Sequence, residues 1–120
     1  MDFVTLDLEF LGQDLIISAY LVPAGDGFVL LETGPASTLA TLERRAADAG
    51  FSLDQLRAVF LTHVHLDHAA GCGSVVRAHQ CPVYAHPVAV PHLVDPQRKL
   101  VPSARRLYGE RMESLWGRIE

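Results

Sequence analysis

The stretch Ala58-Val59-Phe60-Leu61-Thr62-His63-Val64-His65-Leu66-Asp67-His68 decides how this chain is read. Its first four residues are apolar and form a short strand candidate that would be buried on both faces. Three of the six histidines then fall, with one aspartate, between His63 and His68. Residues i and i+2 of an extended segment point the same way, so His63 and His65 aim at one position. Asp67 and His68 come two and three residues after His65, where a turn leaving the strand redirects them to a second position. Neutral imidazole and carboxylate are ligands that zinc accepts at about 2.0–2.2 Å, and imidazole also suits iron. A rigid strand is where a preorganised donor set belongs. A single histidine would ordinarily be a surface or hydrogen-bonded residue; four donors packed behind a strand point to a metal centre.

Upstream, Val4, Leu6, Leu8 and Phe10 alternate with Thr5, Asp7 and Glu9, the pattern of a strand with one wet face. Leu15 to Val22 and Phe28 to Glu32 are two more apolar runs, joined by a turn over Ala24-Gly25-Asp26-Gly27, which predicts an antiparallel hairpin. Thr33-Gly34-Pro35 ends the sheet. Ser37 is the expected N-cap of a helix carrying Leu39, Leu42, Ala46 and Ala49, closed by Gly50. Ser52 with Gln55 makes a capping box just before the deciding strand. Downstream, 69–80 reads as a helix and 82–85 as a short strand. Pro87, Pro91 and Pro96 mark a loop-rich stretch. From Ser103 onward, Tyr108, Met112, Leu115 and Ile119 define one apolar helix stripe, with Trp116 beside it. This order of strands and helices places the chain in the α/β or α+β class.

At 120 residues, of which 49% are apolar and 20% charged, the chain has the material for one domain with a real core. The net charge of −4 disfavours nucleic acid and anionic membranes as partners. No apolar run approaches the roughly 20 residues of a membrane span. Asp2 stands where an export leader would carry Lys or Arg, so the expected location is the cytoplasm. Cys72 and Cys81 read first as buried thiols, with a single bridge or stray metal ligation as alternatives. Arg98, Lys99, Arg105, Arg106 and Arg111, interleaved with Glu110 and Glu113, read as a solvated helix face rather than a phosphate site.

The run Thr62-His63-Val64-His65-Leu66-Asp67-His68 followed by Ala70-Gly71 resembles the signature loop of the metallo-β-lactamase superfamily. The opening hairpin, the Glu32-Thr33-Gly34 loop, the helix and the apolar strand stand in the order that family shows. The resemblance implies an αβ/βα sandwich with a dinuclear zinc site at one edge, iron or manganese being alternatives. It assigns His63 and His65 to a first metal, and Asp67 and His68 to a second. It also implies a hydrolase that activates water to cleave a small ester, thioester or lactone, with Asp67 as the proton acceptor.

Two departures accompany the likeness. Glu32 stands where the family has Asp, a residue that helps order the metal loops, and it reaches one methylene further. The family also takes later ligands from downstream, whereas the last histidine here is His92. The expectation is therefore a domain spanning 1–120 that corresponds to the N-terminal half of the sandwich. Its site would be completed by a following segment or by a second copy of the chain. His79, Cys81, His86, His92 and Cys72 match no family ligand position. An iron-dependent oxidoreductase on the same scaffold, or a chain inert by itself, are the alternative readings.

Overall fold

The computed structural model describes residues 3–63, 65–98, 100–117 and 119, with Asp67 described in its backbone alone. Among these residues the strands β1 (Val4–Asp7), β2 (Ser18–Ala24), β3 (Gly27–Leu31), β4 (Leu56–Phe60) and β5 (Val83–Tyr84) form one sheet in sequence order. The first three are antiparallel neighbours, and β4 and β5 continue the sheet in parallel. The hairpin between β2 and β3 closes in two residues, with Ala24 opposite Gly27 and Gly25 at φ 63°. A positive φ at that position suits glycine and matches the right-handed strand twist.

Among the described residues, six α-helices flank or extend the sheet: α1 (Leu39–Asp48), α2 (Leu66–Ala69), α3 (Cys72–His79), α4 (Val90–Val94), α5 (Leu100–Tyr108) and α6 (Met112–Trp116). The class is mixed α+β, as the sequence pattern implied. Period-2 alternation sends Leu6, Ala19, Leu21, Phe28, Leu30 and Val59 to one sheet face, all essentially fully buried. They meet Leu42 and Ala46 of α1, and Cys72 and Val75 of α3, in one continuous core. A second, smaller cluster joins Leu66 and Ala70 to Val101, Ala104, Met112 and Ile119, tying the start of α2 to the last helices.

Four local expectations need correction. Ser37 is not a helix cap: it lies in a 3₁₀ turn, Ala36–Thr38, and its Oγ donates instead to the Leu115 carbonyl at 2.7 Å. The 3₁₀ turn extends the start of α1 backward, so the N-cap position falls on Thr38, whose hydroxyl donates to the Pro35 carbonyl. The apolar stripe after Ser103 is not one helix. Gly109, at φ 56°, opens a 3₁₀ turn over Gly109–Arg111 that separates α5 from α6. The proline-rich stretch holds a short helix, α4, with Pro91 in its first turn, where the missing N–H costs nothing. The second strand also begins later and ends later than expected, because β1 pairs from Ser18 onward.

The Ser52–Gln55 capping box is present. Ser52 N–H donates to Gln55 Oε1 at 2.8 Å, and Ser52 Oγ accepts from Asp54 N–H at 3.2 Å. The box starts a 3₁₀ turn over Leu53–Gln55 that delivers the chain into β4. Both buried cysteines are free thiols. Among the described residues, no helix is long and apolar enough to cross a membrane.

Candidate metal centre

The site is built where β3 and β4 end side by side. Their parallel pairing puts Leu31 opposite Phe60, so the next residues of both strands, Glu32 and Leu61-Thr62-His63, leave the sheet together. Glu32 N–H donates to the Phe60 carbonyl at 2.9 Å, and Glu32 then turns into the left-handed region at φ 71°. That conformation is uncommon for a residue with a side chain, and it directs the carboxyl group back toward the end of β4. Glu32 is only 4% exposed.

One carboxylate oxygen of Glu32, Oε1, accepts from Thr62 N–H at 3.0 Å and from the Thr62 hydroxyl. A hydroxyl has one proton to give, and Thr62 gives it to Glu32. Toward His63 Nδ1, 2.8 Å away, Thr62 Oγ1 must therefore accept. This network assigns the His63 proton to Nδ1 and leaves the Nε2 lone pair available to a ligand. A carboxylate acting on an imidazole through a hydroxyl is the kind of outer support that fixes metal-binding histidines elsewhere.

The following loop is clamped by the same segment. Thr33 and Gly34 N–H groups both donate to the His68 carbonyl, at 2.9 and 3.1 Å, and Gly71 N–H donates to the Gly34 carbonyl at 2.8 Å. A Cβ on Gly71 would sit 2.8 Å from that carbonyl oxygen, so only glycine allows the two loops this close. His68 Nδ1 lies 3.5 Å from Glu32 Oε2. The His63 ring is 4.0 Å from that of His68 and 4.6 Å from that of His65, centroid to centroid.

Glu32, His63 and His68 each bring one donor atom within 4.8 Å of the others. Two imidazoles and a carboxylate fit a divalent transition-metal ion by donor chemistry. His65, which the sequence pairs with His63, is the exposed N-cap residue of α2 and adjoins the trio without joining it. The side chain of Asp67, expected at the second metal, lies outside the described residues, as do Val64 and Lys99. Glu32 is the residue whose nearness to His63 and His68 the sequence did not reveal. Its signal was the strand-end position in Glu32-Thr33-Gly34, which sets it opposite the histidine loop.

The remaining titratable side chains lie apart. His79 ends α3 beside Asp54, 3.5 Å away, and His86 Nδ1 accepts from Val88 N–H at 3.1 Å. His92 sits on α4. Burial pushes the Cys72 thiol up to about 11, and raises that of Cys81 as well. Arg98, Arg105, Arg106 and Arg111 are exposed. Beside His65 opens a cleft of about 490 Å³ lined by Phe10, Ile16, Ile17, His65, Tyr108 and Trp116. Phe10 stacks on Trp116 at 5.1 Å, and Tyr108 meets Trp116 edge-on at 5.4 Å.

The sequence profile of the metallo-beta-lactamase superfamily matches residues 12–116. No curated relative matches the chain. Among solved structures, the chain is similar to the native FEZ-1 metallo-beta-lactamase from Legionella gormanii, with a TM-score of 0.72 at 14% identity, over 98% of this chain and 40% of that one. It is also similar to the Rm3 metallo-beta-lactamase, with a TM-score of 0.65 at 23% identity, covering 76% of this chain and 32% of the other. A third likeness is to BJP-1, a subclass B3 metallo-beta-lactamase of Bradyrhizobium japonicum, with a TM-score of 0.61 at 23% identity, covering 64% and 29%. These identities establish the fold alone, and the chain spans about a third of the length of these neighbours.

Proposed function

Because this chain belongs to the metallo-beta-lactamase superfamily, we propose that it forms the zinc centre of a hydrolase acting on a small ester, thioester or lactone. The observation that carries the reading is the convergence of His63, His68 and Glu32 at the paired ends of β3 and β4. A bound zinc ion supplies Lewis acidity and lowers the pKa of water at the site to near neutrality. The protein's part is to hold its donors in one protonation state and one geometry. His63 offers Nε2 because its Nδ1–H is engaged by Thr62, and Thr62 is itself held by Glu32. His68 is fixed through its backbone, its carbonyl being gripped by Thr33 and Gly34. Asp67, two residues beyond His65, is assigned to accept the proton of the attacking water.

The aromatic cleft beside His65 supports a substrate with an apolar portion next to the scissile bond. Phe10, Tyr108 and Trp116 offer apolar faces there, next to His65. The test is a panel of chromogenic esters, thioesters and lactones offered to zinc-loaded and chelator-treated protein. Zinc-dependent turnover of at least one bond class is expected, lost in Asp67→Asn with zinc content retained. Failure of every bond class, with zinc bound, would contradict the assignment. Iron in place of zinc in the isolated protein, with oxygen consumption, would favour oxidoreduction instead.

A further inference from the structure

We infer that the cavity between α3, β5, α4 and α5 is a binding site for a small neutral apolar molecule, one or two rings in size. It shares no lining residue with the metal centre or with the cleft beside His65. The cavity lies between the two hydrophobic clusters of the fold. Val76, Val83 and Leu93 pack against the main core, while Ile119 belongs to the smaller cluster, against which Leu100 packs. All five line the same space, of about 250 Å³. Protein interiors close-pack such surfaces and leave few voids larger than a water molecule, so a space of this size between two cores sets the place apart.

Size and chemistry name the occupant. An apolar cavity of about 150 Å³ holds benzene, and water settles in such a space only where it finds two to four polar partners. Here the lining side chains offer the His92 imidazole and the Cys72 thiol, and none of them is Asp, Glu, Lys or Arg. A charged ligand would lose its hydration without gaining a partner. A neutral apolar one exchanges water for dispersion contacts with the aliphatic wall. Cys72 reports the same surroundings, since burial pushes its thiol up to about 11. Access is from the α4 side, where Val94 lines the cavity and is 78% exposed.

The test titrates the full chain, isotopically labelled at its Ile, Leu and Val methyl groups, with benzene, naphthalene and the charged counterpart benzoate, read by NMR. Saturable shifts are expected at Val76, Val83, Leu93, Leu100 and Ile119, with the methyls of Ile16 and Ile17 in the cleft beside His65 unmoved. Benzoate should bind more weakly than benzene by more than about tenfold. Val76→Phe puts a ring into the space from α3 and should weaken benzene binding by more than about tenfold. Leu93→Ala enlarges the space and should move the preference toward naphthalene by a similar factor. The two variants change the cavity in opposite directions, so either one alone suffices if the other folds poorly. Shifts at Ile16 and Ile17 instead, shifts that never saturate, no shifts, equal binding of benzoate, or benzene binding unchanged by both substitutions would each overturn the inference. Shifts of the same methyls that grow with protein concentration in probe-free samples would place a second copy of the chain in the space, and would overturn it too.

Discussion

Glu32 shows how much one residue settles here. It orders Thr62, sets the His63 tautomer through it, and places a second oxygen beside His68. Its neighbour Gly34, at φ 72°, is where the same loop turns under the core, and a Cβ there would collide with the Leu8 side chain. Gly34→Ala pays for both the left-handed backbone and the overlap, and should destabilise the fold by about 2–3 kcal/mol in urea unfolding. An unchanged midpoint would show that Leu8 yields freely. At this scale the nearness of the histidines was legible, their spacing being local, but the reach of Glu32 to them was not. Its role depends on Leu31 standing opposite Phe60, a pairing between strands that no local pattern encodes.

Elements differ in how firmly their ends are written in the chain. The capping box at Ser52 was legible because both partners lie within three residues, and the structure has both hydrogen bonds. The start of α1 was not, because Pro35 sets a 3₁₀ turn ahead of the helix and Ser37 turns away to the Leu115 carbonyl. The two serines therefore make a paired test. Ser52→Ala should cost about 1 kcal/mol of stability, the usual value of an N-cap. Ser37→Ala, which removes one exposed hydrogen bond, should cost about half of that. Equal losses would mean that the contact between the Ala36–Thr38 turn and α6 matters more than its exposure suggests. The break between α5 and α6 was hidden for a similar reason: the apolar spacing runs straight through Gly109, and only its positive φ ends the helix.

Across the molecule, the strand alternation and the α+β order were legible because they follow from hydrophobic periodicity along the chain. The thiols follow from the same core. Cys72 is 7% exposed and Cys81 8%, and the Cys72 thiol is raised from 9.0 to about 11. Both should resist iodoacetamide in native protein at pH 8 and react in denaturant. The raised value also signs a pH dependence. The folded state holds the Cys72 proton more tightly than the unfolded chain, so this contribution is intact below pH 9 and is lost as pH rises toward 11. Rapid native labelling at pH 8 would show that the core opens around α3.

The central claim is that the paired ends of β3 and β4 form a metal centre, and the measurement that tests it most directly is metal content per chain. Protein refolded without metal, given zinc and dialysed against metal-free buffer should retain at least one equivalent. That zinc should be lost in the double variant His63→Ala, His68→Ala while the circular dichroism spectrum stays native. Only traces of zinc on the wild-type chain, or equal zinc on both proteins, would contradict it.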